Sequence, residues 1–213
     1  MTTKVKICGL RTEAALEAAL AGGADYVGLV FFAPSPRNVA PATAKALADR
    51  ARGRARIVAL MVDPDDALID TAMASAAPDL LQLHGEETPD RIADVRRRWG
   101  RPVIKAIKVE TAEDARAALD YRRAADLVLF DARAPTDSTR PGGNGAPFDW
   151  RMLLGVKDEV PFVLSGGLTP DNVAEAIRLT GAAIVDVSSG VESSPGEKDP
   201  QLIRRFLRAA KGA

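Results

Sequence analysis

Cysteine and histidine are nearly missing from this chain: Cys8 and His84 are the sole examples of each among 213 residues. One cysteine excludes an internal disulfide, and no Cys/His cluster with metal-ligand spacing exists, so no metal site is expected. Net charge is missing too. Lys and Arg number 29, as do Asp and Glu, so no overall field draws the chain to nucleic acid or a membrane surface. No run approaches the roughly 18 apolar residues that a spanning helix needs. The opening Met1-Thr2-Thr3-Lys4-Val5-Lys6-Ile7-Cys8 has no apolar h-region, so the expectation is a cytoplasmic protein without a secretory leader. Several motifs are absent as well. No glycine-rich dinucleotide turn follows the first strand-like run, where the chain reads Cys8-Gly9-Leu10-Arg11-Thr12. Neither a Walker motif nor a Ser-His-Asp spacing occurs, so hydrolysis and phosphoryl transfer find no support.

What is present is a repeat. Short β-branched runs begin near Val5, Tyr26, Arg56, Leu80, Pro102, Leu127, Pro161 and Ala183, each followed by a stretch rich in Ala, Leu, Arg and Glu. Helices are predicted over Glu13–Ala21, Pro41–Arg52, Asp65–Ala76, Pro89–Trp99, Ala112–Arg122, Asp149–Leu154, Pro170–Thr180 and Pro200–Ala210. Start signals stand before several of them, at Thr12, Thr88, Thr111, Thr169 and Asp199. Gly22, Gly23, Gly53, Gly100 and Gly181 fall just past helix ends. Eight strand–helix units in series predict an α/β fold, a single compact (β/α)8 TIM barrel spanning residues 1–213. No low-complexity linker divides it. An open doubly wound sheet usually has about five or six strands and the glycine-rich turn lacking here.

In such a barrel the reactive residues gather at the carboxyl ends of the strands, and there the sequence is distinctive. Glycine-rich turns follow the seventh and eighth strands, with Gly166 and Gly167 in one and Asp186, Ser188, Ser189 and Gly190 in the other. Tight turns needing positive φ would explain the glycines alone. Two such turns on consecutive strand ends favour a phosphate site, where backbone N–H groups approach an anion closely. The longest loop, after the sixth strand, contains Pro141-Gly142-Gly143-Asn144-Gly145 and is expected to fold over that phosphate, a plain insertion being the alternative. Arg37 follows two prolines that stiffen its loop, so it is a candidate for a bidentate carboxylate contact rather than a solvated side chain.

Alternation along the first strand sets Lys6 and Cys8 on the barrel side and Val5 and Ile7 against the helices. The same parity turns Leu127, Leu129 and Asp131 inward on the sixth strand, and Gln82 and His84 inward on the fourth. Cys8 and Asp131 then form a candidate base and acid, with the Lys6 ammonium expected to favour thiolate. Lys6, Lys105 and Asp186 are expected to share a polar network inside the barrel, since unpaired buried charge is costly. His84 is read as a supporting group near the substrate.

An ordered series of motifs runs through nearly the whole chain: Lys6-Ile7-Cys8-Gly9-Leu10, Gly28-Leu29-Val30-Phe31-Phe32 with Ser35-Pro36-Arg37, Gln82-Leu83-His84-Gly85, Gly142-Gly143-Asn144-Gly145 with Phe148-Asp149-Trp150, Leu164-Ser165-Gly166-Gly167-Leu168, and Asp186-Val187-Ser188-Ser189-Gly190-Val191-Glu192 with Pro195-Gly196-Glu197-Lys198-Asp199. In this series the chain resembles the phosphoribosylanthranilate isomerases of tryptophan biosynthesis. It departs from their usual Gly-Gly-Thr-Gly at Asn144, which keeps backbone donors but lacks the hydroxyl. The resemblance implies an aldose–ketose isomerase, an intramolecular oxidoreductase. It would convert N-(5-phosphoribosyl)anthranilate to 1-(2-carboxyphenylamino)-1-deoxyribulose 5-phosphate by an Amadori rearrangement. That is the third step of tryptophan biosynthesis from chorismate. It implies Asp131 as general acid, Cys8 as general base, Arg37 on the anthranilate carboxylate, and Gly143, Gly145, Gly166, Gly167, Ser188, Ser189 and Gly190 about the phosphate. The implied partner is a small phosphorylated sugar, with no metal or organic cofactor. The alternatives are another phosphosugar isomerase or a non-catalytic phosphosugar-binding barrel. Exposed helix faces suit a monomer and an oligomer alike.

Overall fold

Eight parallel strands close on themselves in chain order, each pairing with its neighbours in sequence. They are β1 Lys4–Cys8, β2 Tyr26–Val30, β3 Arg56–Met61, β4 Leu80–Leu83, β5 Val103–Val109, β6 Leu127–Ala132, β7 Phe162–Leu164 and β8 Ile184–Val187. The seam is β1 against β8, where Lys6 lies opposite Asp186. The computed structural model describes residues 2–132 and 148–213. Helices α1 Glu13–Ala21, α2 Pro41–Ala51, α3 Asp66–Ala76, α4 Pro89–Trp99, α5 Ala112–Arg116, α6 Val173–Thr180 and α7 Pro200–Lys211 surround the strands. A short hairpin, β9 Glu192–Ser194 with β10 Glu197–Lys198, follows the last barrel strand.

The period of two along each strand divides the core into layers. Val5 and Ile7 of β1 pack outward against the helices, together with Leu81 and Leu83 of β4 and Val128 and Phe130 of β6. Tyr26, Val58, Leu80, Ile104, Ala106, Leu129 and Val163 fill the interior. Above them Cys8, Val30 and Leu60 form a smaller cluster, flanked by Phe32 and Val62. Helix α7 buries Ile203, Phe206, Leu207 and Ala210, one face at the i, i+3, i+4, i+7 spacing. Each large apolar side chain so buried contributes about 1.5–3 kcal/mol. The Asp199 carboxylate caps this helix, accepting from the N–H groups of Gln201 and Leu202.

Three helices differ from the sequence expectation. Asp149–Leu154 is not an α-helix but a 3-10 stretch, Trp150–Gly155. Asp149 accepts from Arg151 N–H and Gly155 ends the segment, leaving too few residues to propagate an α-helical ladder. Helix α6 starts at Val173, not Pro170, because Asn172 folds a turn first. Its side chain accepts from Thr169 N–H at 2.7 Å and donates to Gly167 O at 3.0 Å. The stretch over Ala112–Arg122 is α-helical only to Arg116 and tightens to 3-10 over Ala117–Tyr121. A fourth difference concerns Lys105. It shares the phase of Val103 and Ile107, so it points into the helix layer and meets Glu87 at 2.6 Å and Gly85 O at 2.5 Å. It therefore takes no part in a network with Lys6 and Asp186. Strand β5 carries one lysine on each face, Lys105 and Lys108, among apolar residues, so its composition does not mark which face is inside.

Candidate active site

Cys8 ends β1, and Asp131 lies one residue from the end of β6. Both are buried at the carboxyl end of the barrel. An arc of contacts joins them. The backbone of Ala132, next to Asp131, lies so close to Gly166 that a Cβ there would stand 2.5 Å from Ala132 N. The turn after β7 in turn meets the turn after β8, since a Cβ on Gly190 would lie 1.9 Å from Leu168 O. Ser188, at the start of that second turn, donates to Cys8 O at 3.3 Å. Gly166, Gly167, Ser188, Ser189 and Gly190 therefore line one continuous rim between Asp131 and Cys8. Gly143, Gly145 and Asn144 lie outside the described residues.

On the other side, His84 follows β4, and its Nε2 stands 3.3 Å from Asp131 Oδ2. The two are within range for charge interaction, but they are not aligned as a hydrogen bond, for Nε2 has no bonded partner among the described residues. Gln82, two residues earlier on the same face, presents Nε2 to His84 Nδ1 at 3.2 Å. Asp131 Oδ1 accepts from the N–H of Ala132 at 3.0 Å.

Beneath Cys8 lies Lys6, whose ammonium donates to Asp186 Oδ1 at 2.9 Å. Gly28 on β2 makes this grouping possible. A Cβ there would sit 2.9 Å from Cys8 Sγ and 3.2 Å from Lys6 Nζ. Burial opposes the charge of Lys6, but Asp186 and the Cys8 sulfur outweigh it and raise its pKa. Burial pushes the Cys8 thiol up, and Asp186 adds to this; Lys6 and Lys198 offset only part. The ammonium is where the sequence reading puts it, yet desolvation outweighs it and the resting group is a thiol.

Arg37 is buried, and its guanidinium is engaged along one edge by Glu192 of β9: Nε donates to Oε1 at 2.7 Å and Nη2 to Oε2 at 2.8 Å. Lys198 of β10 donates to Ser188 O at 3.1 Å and also pairs with Glu192. Sequence reasoning gave no role to Glu192, Lys198, Gly28 or the apolar wall of Val30, Phe32, Leu60 and Val62, and read Gln82 only as facing inward. For Lys198 a signal existed, its place in Pro195-Gly196-Glu197-Lys198-Asp199, but its contacts come from a hairpin folding back. Among the described residues no group of three or more His, Cys, Asp or Glu is placed to hold a metal ion. Among them, too, no helix is long and apolar enough to cross a membrane.

Reactive side chains at the carboxyl-terminal mouth of a closed eight-stranded barrel define a (β/α)8-barrel enzyme. The family model described as N-(5'phosphoribosyl)anthranilate (PRA) isomerase matches residues 5–209. An N-(5'-phosphoribosyl)anthranilate isomerase of Rhodopseudomonas palustris (strain BisA53) is 56% identical over 211 residues, covering 99% of this chain and 97% of that protein. The crystal structure of phosphoribosyl anthranilate isomerase from Thermotoga maritima superposes with a TM-score of 0.89 at 34% identity, covering 99% of this chain and 100% of that one. A phosphoribosyl anthranilate isomerase in complex with reduced 1-(o-carboxyphenylamino)-1-deoxyribulose 5-phosphate gives a TM-score of 0.86 at 33% identity, with 99% and 100% covered. The chain belongs to the N-(5'-phosphoribosyl)anthranilate isomerase family, and it is an isomerase.

Proposed function

We propose that Asp131 and Cys8 carry the acid and base steps of the family's reaction at this mouth. The chain converts N-(5'-phosphoribosyl)anthranilate to 1-(2-carboxyphenylamino)-1-deoxyribulose 5-phosphate in tryptophan biosynthesis. In the proposed course Asp131 gives its proton to the furanose ring oxygen as the bond from C1 to that oxygen breaks. The anthranilate nitrogen lone pair forms a C=N bond to C1. Cys8, as thiolate, then takes the proton from C2, and the released electron pair makes the C1–C2 double bond of the enolamine. Loss of the C2 hydroxyl proton with protonation at C1 yields the aminoketose. The two transfers leave Asp131 ionised and Cys8 protonated, and exchange with solvent restores each for the next turnover.

Support comes from the rim that runs from Ala132 through Gly166 and Gly190 to Cys8. It sets the two groups at opposite ends of an arc of turn backbone suited to phosphate. Val30, Leu60, Phe32 and Val62 offer the anthranilate ring an apolar wall beside Cys8. Arg37 is the proposed holder of the anthranilate carboxylate, and His84, close to Asp131, orients the acid. A thiol that works as a base must stay reduced, which suits a reducing compartment, and we place the reaction in the cytoplasm. The test is steady-state turnover of Cys8→Ala and Asp131→Ala with substrate generated in situ. Each loses at least ~10²-fold in kcat, the lower end of what general acid–base groups contribute. Near wild-type turnover in either variant removes its role.

A further inference from the structure

We propose that Glu192 is a positioning residue that couples the two ends of the substrate site, holding Arg37 at one end and the Ser188 turn at the other. Its carboxylate is buried, as are the two cations it meets, with side chains 4%, 6% and 2% exposed for Glu192, Arg37 and Lys198. Every lone-pair direction is used. Oε1 accepts from Arg37 Nε and from Lys198, and Oε2 accepts from Arg37 Nη2 and from Gly196 N–H at 3.2 Å. The fork geometry fixes the plane of the guanidinium as well as its position, which a single contact would not do. The stem is fixed too: the Arg37 N–H donates to Ser35 Oγ at 3.1 Å, and Arg37 Cδ lies over Gly9.

Lys198 carries the coupling onward. Besides Glu192, it donates to Ser188 O and reaches Ser188 Oγ at 3.3 Å, and that hydroxyl donates to Cys8 O. One carboxylate thus anchors the loop after β2 and the turn after β8. Without it, the two buried cations would lose the carboxylate that lies between them, and both would shift. The inference rests on the proposed roles of Arg37 and Ser188. Glu192 touches neither Cys8 Sγ nor Asp131, and Lys198 is the smallest of the influences on the Cys8 thiol, so the effect of Glu192 falls mainly on binding rather than on the proton transfers.

The test is the kinetics of Glu192→Gln and Glu192→Asp, each with folding checked by circular dichroism, with inorganic phosphate as a competing probe. Glu192→Gln raises KM at least about tenfold while kcat stays within about threefold, and phosphate competes less well. Glu192→Asp, which keeps the charge, recovers part of both and also serves if Glu192→Gln fails to fold. Combined with Arg37→Met, the KM effect is less than the product of the single effects, because both changes disturb one guanidinium. An unchanged KM, a loss confined to kcat, or fully multiplicative effects would overturn the proposal. If Arg37→Met alone leaves KM unchanged, the role given to Arg37 is wrong. The phosphate arm still decides whether Glu192 holds the Ser188 turn.

Discussion

Cys8, the proposed base, is a thiol whose pKa burial raises, and that has a kinetic consequence. Its pKa lies above the ordinary 9.0 because desolvation and Asp186 together exceed the help from Lys6 and Lys198. In its proposed role Cys8 reacts as thiolate, so we expect the limb that Cys8 gives the kcat/KM profile to lie above 9.0. Cys8 is the sole cysteine, so the pH dependence of iodoacetamide alkylation reads the same group independently. A limb below that value in both measurements would mean that desolvation does not control the thiol. Parity along β1 is legible in the sequence because Lys4 and Lys6 alternate with Val5 and Ile7, and along β6 because Asp131 punctuates an apolar run. The direction of the thiol shift was not, since it depends on how completely the surrounding strands exclude water.

At the scale of elements, the turns after β7 and β8 depend on each other. Gly190 packs where a Cβ would lie 1.9 Å from Leu168 O, and backbone cannot yield as a flexible side chain can. Gly190→Ala therefore forces the two turns apart, and KM rises by roughly tenfold or more, since small misplacements of binding groups are costly. Wild-type KM in that variant, measured on the same substrate, would show that the turns adjust freely. Both glycine turns were visible in the sequence as local composition. Their contact was not, because it joins residues on different strands. The hairpin of β9 and β10 shows the same limit. Nothing in its own segment marks Lys198 as buried, and it becomes so only when the hairpin folds back to Ser188.

Across the whole molecule, two buried ion pairs brace opposite sides of the strand wall: Lys6–Asp186 inside at the β1–β8 seam, and Lys105–Glu87 outside, below His84. Glu87 also accepts from Gly85 and Asp63 N–H groups, holding the turn that follows His84. Lys6→Met and Lys105→Met each strand a buried carboxylate and lower stability by about 3–5 kcal/mol, read from denaturant unfolding. A loss under about 1 kcal/mol would show that water reaches the remaining carboxylate. The folded pKa of Lys6 is raised, so its contribution is complete below 10.5 and declines only as pH rises through the higher folded value. The gap between wild type and Lys6→Met should therefore be constant from neutral pH to about 10.5. Glu192 behaves oppositely. Burial opposes its charge, but Arg37 and Lys198 hold its pKa down, so its contribution is present above 4.5 and fades as pH falls below.

Alternating strands and helices, the capping residues and the polar residues at strand ends determined the barrel and most of its rim. These are local signals, carried by periods of two and about 3.6 residues along one segment. Which face of β5 is inside, which acid partners Lys105, what holds Arg37, and whether Cys8 rests as thiol or thiolate were decided only by tertiary structure. Each depends on groups brought together from distant parts of the chain, Arg37 to Glu192 and Lys6 to Asp186 among them, and on water excluded by the closed barrel. Charge pairing and desolvation are properties of that shared space, and no single segment encodes them.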